Sequence, residues 1–169
     1  LRVLLEKRID GLIVASLGSE RDLLDSLACV RPPMVILDRE LEGVEADLVR
    51  IDHEHGAYLA TRHLLELGHR DIATIAGPVE MGVSQMRVAG FRRAMAEAGV
   101  SVDEQRVLHS DFTSPGGHAA AVSLLDGPRP TAIFAGNDMI GFGVLRAAAE
   151  RNIHVPGELS VIGFDDIEL

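Results

Sequence analysis

The chain has 169 residues, 47 % of them hydrophobic, with 16 basic against 26 acidic side chains and a net charge of −10. That apolar share is enough to fill a core, which excludes a disordered chain and a small disulfide scaffold. The acidic balance makes this stretch a poor binder of DNA or RNA in its own right, because such binding draws on Lys and Arg neutralising phosphates.

Taken in chain order, short β-branched runs alternate with longer helical patterns. Strands are expected at 11–15, 34–37, 48–51, 72–76, 106–109, 131–135 and 161–164, several apolar on both faces. Helices are expected at 1–8, 19–30, 55–67, 84–98, 116–125 and 139–151, most of them ended by signals such as Gly68, Gly99 and Gly127-Pro128. This alternation predicts an α/β fold with parallel sheets flanked by helices. The short polar turn Leu67-Gly68-His69-Arg70 is the expected boundary between two lobes, 1–68 and 69–169. The first residue is Leu1, in a helical pattern, and the last is Leu169, just after a strand. On that basis the two-lobed domain is expected to be incomplete at both ends.

The lone cysteine, Cys29, excludes an intramolecular disulfide and Cys-based zinc sites and suits a reducing compartment. No apolar run approaches the ~20 residues of a membrane span and the N-terminus lacks a signal-peptide core, so a cytoplasmic address without membrane contact is expected. No cofactor or metal is called for. His53-x-His55 lacks a third placed ligand, and the loop at 77–84 has P-loop spacing but carries Val83 where the phosphate lysine belongs and Glu80 where phosphate would be repelled.

Ligands of open parallel sheets sit beyond the carboxyl ends of the strands. The residues there are Ser16, Asp38-Arg39, Asp52-His53, Gly77-Pro78, Ser110-Asp111-Phe112, Gly136-Asn137-Asp138 and Asp165-Asp166. Each Asp or Asn alone serves equally well as a cap or turn residue. Together with an aromatic ring and an arginine they suit a neutral polyol, whose hydroxyls donate and accept. Arg87, one turn into the helix after that loop, reads as a forked donor to hydroxyls or a carboxylate, or as a surface ion pair with Glu80. Asp165-Asp166 leaves open an enzyme with Mg²⁺-dependent phosphotransfer. That chemistry wants a nearby lysine, and the only one is Lys7.

Four stretches resemble one family when taken jointly and in order: HLLELGHRDIATIAGP at 63–78, MRVAGF at 86–91, PTAIFAGND at 130–138 and VPGELSVIGFDD at 155–166. They are similar to the effector-binding core of LacI/GalR transcriptional repressors. The resemblance implies a non-enzymatic, two-lobed fold like that of periplasmic sugar-binding proteins, with a small effector between the lobes. The effector is a sugar or other polyol, or a purine, since purine-sensing relatives share these motifs. It implies a homodimer, and operator DNA bound only through a headpiece that these residues do not include. Matching positions make Arg87, Asn137, Asp165 and Phe112 effector contacts from the C-terminal lobe, with His55 and Arg39 from the N-terminal lobe. Phe142, with Ile140 beside it, falls in the family's dimer interface. A transport-type periplasmic sugar-binding protein is the alternative within the same fold.

Overall fold

The computed structural model describes residues 9–15, 25, 27, 32–38 and 43–168. The helix expected at 1–8, most of that at 19–30, and Arg39, Cys29 and Ser16 lie outside the described residues. By contact, the chain divides into residues 1–51 and 52–169.

In the first unit, β1 (Leu12–Val14), β2 (Met34–Leu37) and β3 (Asp47–Val49) pair in parallel in the order β1-β2-β3. Among its described residues Leu27 and Ile36 are buried together, with Leu12, Val14 and Met34 packed against them.

In the second unit, two runs with almost no polar residue dictate the architecture. β4 (Ile72–Ala76) and β6 (Ala132–Ala135) are buried at every position, as strands covered on both faces must be. They form the middle of a parallel sheet ordered β5-β4-β6-β7, with β5 at Val107–His109 and β7 at Ser160–Ile162. Alternation sorts the side chains to two cores. Ala73, Ile75, Ile133 and Ala135 face α3 (Ser114–Leu125) and α4 (Asp138–Glu150). Ile72, Ala132 and Phe134 face α1 (His53–Glu66) and α2 (Gly82–Glu97).

Helix starts follow cap chemistry. The side chains of Asp52, Thr113 and Asn137 accept the backbone N–H of His55, Gly116 and Ile140, capping α1, α3 and α4. α1 ends at Gly68, whose φ of 96° allows Gly68 N–H to reach the Leu65 carbonyl at 3.0 Å and His69 N–H to reach Leu64 at 3.1 Å.

The expected lobe boundary at residues 67–70 therefore differs from the observed division after Ile51. Helix α1 buries Ala57, Leu64 and Leu65 in the same core as Phe91 and Met95 of α2, so it belongs with the second unit. Gly90 makes that packing possible. A Cβ there would overlap the Glu54 carbonyl oxygen and come within 2.9 Å of the Tyr58 amide nitrogen, both α1 backbone.

Gly90→Ala is expected to cost about 1–3 kcal/mol through overpacking against backbone that cannot rotate away. Gly82→Ala, at the open start of the same helix with nothing near its Cβ position, should be neutral or stabilising by up to about 1 kcal/mol. Thermal unfolding of the two variants checks the contrast, and equal effects would contradict the packing argument.

Candidate functional site

Because the four strands of the second unit run in parallel, their carboxyl ends share one edge, and the residues that follow them gather there. Gly77 follows β4, Ser110-Asp111-Phe112 follow β5, Gly136-Asn137-Asp138 follow β6 and Gly163-Phe164-Asp165 follow β7. The starts of α1 and α2 bring His53 and Arg87 to the same place.

Arg87 is the centre of the group, 6 % exposed in spite of its charge. Its Nη1 donates to the Gly136 carbonyl. Nη2 lies 3.3 Å from His53 Nδ1 and 3.4 Å from Asp165 Oδ1. The Phe164 ring covers the guanidinium at 3.8 Å from centroid to Cζ, and the Phe112 ring stands at 5.9 Å. A cation over an aromatic face in such a dry setting is worth about 0.5–2 kcal/mol. Both rings rest on glycine. A Cβ at Gly77 would overlap the Phe112 ring, and one at Gly56 would lie 2.7 Å from Phe164 Cε2.

The backbone is strained in the same place. Phe112 and Asp165 sit at φ 62° and 106°, and Asp166 at 56°, in the left-handed region that disfavours residues with a Cβ. What holds the segment after β7 is α4: Asp138 N–H donates to the Phe164 carbonyl, and Asp138 Oδ2 accepts Ile167 N–H, each at 2.9 Å. On the other side, the Gly77 carbonyl accepts from both Ser84 Oγ and His109 Nδ1 at 2.8 Å, which fixes the turn after β4 and the tautomer of His109.

Burial raises the Asp165 carboxyl above its ordinary range. The Arg87 charge opposes that shift and the nearby Asp138 carboxylate reinforces it. At Asp111, the Thr113 hydroxyl and amide hold the carboxylate below its ordinary range.

Of the residues expected to meet a ligand, the structure brings Arg87, Asp165 and Phe112 together. Asn137 lies beside them with its Nδ2 on the Phe112 carbonyl at 3.3 Å, but its Oδ1 is spent capping α4. His55 stands apart: it is exposed and stacks on Tyr58 at 6.0 Å. His53, two residues earlier and among the residues expected beyond the strand ends, is the buried histidine of the cluster, and Phe164, which nothing in the sequence singles out, is its second ring. Ile140 is fully buried in the core under α4, which removes it from any surface, whereas Phe142 is 37 % exposed. At Asp165, the Mg²⁺ alternative meets the Arg87 cation in front of the carboxylate. Among the described residues no group of three or more His, Cys, Asp or Glu could hold a metal ion.

A family model described as a periplasmic binding protein-like domain matches residues 61–169. The HTH-type transcriptional repressor PurR of Photobacterium profundum is 38 % identical over 173 residues, covering all of this chain and 51 % of the relative. The HTH-type transcriptional regulator DegA of Bacillus subtilis is 40 % identical over 167 residues, covering 97 % and 50 %. A complex of the transcriptional regulator CelR with cellobiose superposes with TM-score 0.83 at 37 % identity, covering 98 % of this chain and 51 % of that one. A LacI-family sugar-binding transcriptional regulator of Escherichia coli, complexed with phosphate, does so with TM-score 0.80 at 30 % identity, covering 98 % and 60 %. The chain spans about half the length of the curated relatives it matches.

The raised Asp165 carboxyl has a definite sign in stability. Its protonated form is favoured by the fold, so the penalty of ionising it is absent below the ordinary range near pH ~4 and complete once pH passes the raised value. Asp165→Asn removes that penalty. The Tm of the variant relative to wild type should therefore rise between pH 3.5 and neutral pH. A difference in Tm that stays flat from pH 3.5 to 7.5 would contradict it.

Proposed function

The chain belongs to the periplasmic binding protein-like domain family, in its LacI-type regulator branch, and we propose that it is the effector-sensing part of a DNA-binding transcriptional regulator. The observation that carries this reading is the Arg87 cradle: a buried guanidinium at the sheet's carboxyl edge, held by strained residues and walled by two aromatic rings. Structural ion pairs have no need of such a setting, whereas ligand clamps concentrate strain and perturbed carboxylates.

The effector is a small polar molecule, a sugar or another polyol, or a purine. Arg87 supplies N–H donors, Asp165 accepts from a ligand hydroxyl or ring N–H, and Phe112 offers an apolar face. Cellobiose bound to CelR and the name PurR support the two chemical classes. A ligand that prefers one conformation of the regulator shifts the population toward it, by no more than its difference in affinity between the states. Operator contact belongs to a helix-turn-helix segment of the kind the relatives' names carry, which agrees with the −10 charge of these residues. A regulator of this type works in the cytoplasm, where the DNA is. The relatives and solved structures named above are regulators, which supports this reading over a transport protein.

We assign self-association to α4. Met139, Phe142 and Leu145, spaced three apart, are 36, 37 and 41 % exposed and form one apolar strip, with Phe142 rather than Ile140 as its centre.

In the intact regulator, a thermal-shift screen of cellobiose, neutral monosaccharides, guanine and hypoxanthine should find a compound that raises Tm. At ~100 times Kd the gain is about 2.7 kcal/mol. Arg87→Ala should abolish that shift; survival of the full shift in both Arg87→Ala and Asp165→Asn would defeat the site. Phe142→Asp should convert a dimer to a monomer in sedimentation with little loss of Tm, and an unchanged mass would remove α4 from the interface.

A further inference from the structure

His53 is the buried titratable group whose role this leaves open. It is the first residue of α1, 1 % exposed, with its ring 6.2 Å from that of Phe164. Its Nδ1 stands 3.3 Å from Arg87 Nη2. A guanidinium donates and never accepts, so Nδ1 must offer its lone pair, which puts the imidazole proton on Nε2. The neutral ring then takes one N–H of Nη2 while Asp165 Oδ1 takes the other at 3.4 Å. A protonated ring has no lone pair to offer at Nδ1 and sets a second cation against the first, where little water screens them.

Among the described residues, the charged groups facing the ring are Arg87 from α2 and Asp165 from the segment after β7, with Asp138 of α4 acting on Asp165. On its own helix, Asp52 is engaged with the His55 amide and Glu54 with Arg93 of α2 at 2.6 Å, while His55 stacks on Tyr58. Asp165 is the carboxylate that accepts from Nη2. It is raised in the direction of protonation, so acid weakens both acceptors of Nη2 together.

We propose that His53 is the positioning residue of Arg87: its neutral imidazole aims the guanidinium into the site, and its protonation releases it, making the effector site pH-gated. The proposal rests on the reading of Arg87 as the ligand-holding group. Its test needs no ligand. In ¹⁵N side-chain spectra of the wild-type protein taken from pH 8 to pH 5, His53 should carry its proton on Nε2 at pH 8. The Arg87 Nη signals, resolved by restricted rotation at pH 8, should merge in step with the His53 titration.

His53→Gln keeps an acceptor but cannot titrate, so its Arg87 signals should stay resolved to pH 5. If that variant does not fold, the wild-type titration decides alone. A proton on Nδ1 at pH 8, an imidazole still neutral at pH 5, or Arg87 signals indifferent to the His53 step would overturn the proposal. With cellobiose and hypoxanthine as probes, any thermal shift should shrink in wild type as His53 protonates and persist in His53→Gln. Arg87 following His53 while neither probe shifts Tm at any pH upholds the positioning role and counts against the ligand reading.

Discussion

A guanidinium withdrawn from water must be met by acceptors, or its desolvation is left uncompensated. Arg87 meets that demand with a backbone carbonyl after β6, an imidazole from the start of α1 and a carboxylate from the segment after β7, under the ring of Phe164. Three separate parts of the second unit are thus referred to one side chain of α2. The parallel sheet brings their ends to a common edge, and the Arg87 hydrogen bonds then set where each of them stops.

That arrangement exacts a cost in backbone geometry and electrostatics. Phe112 and Asp165 occupy the left-handed region, and the Asp165 carboxylate faces a second acid, Asp138, as well as Arg87. Strain of this kind persists only where the surroundings over-determine it. Here they do: Asp138 ties down both ends of the 164–167 segment, and Phe112 is seated on Gly77 with Asn137 on its carbonyl. A site rigid before its ligand arrives loses less conformational freedom when the ligand binds.

Much of this was legible in the sequence. The almost wholly apolar runs at 72–76 and 132–135 and the helical spacing between them point to a parallel sheet with helices on both faces, and two of the four family-like stretches contain Arg87 and Asp165. One placement went astray for a physical reason: residues two apart on a helix lie about 200° apart around its axis. Pairing Ile140 with Phe142 took a residue from the buried face of α4, and in the same way His55 stands on the exposed side of α1 while His53 is buried. The N-cap signal was present in both cases. Asp52 starts α1 at His53 and Asn137 starts α4 at Asp138, and that register turns His53 and Ile140 inward. The lobe boundary was misplaced because an amphipathic helix declares that it buries a face without declaring against what. The close approach of α1 and α2 depends on the missing Cβ of Gly90, which is read only once both backbones are placed.

The proposed function places the ligand on Arg87. Its most direct test is the Arg87 Nε–Hε resonance of the intact regulator, followed while a Tm-raising sugar or purine base is titrated in. This resonance should move with the occupancy of the site, together with the ring signals of Phe112 and Phe164. A compound that stabilises the protein and saturates it while leaving the Arg87 and Phe112 signals unmoved would contradict it.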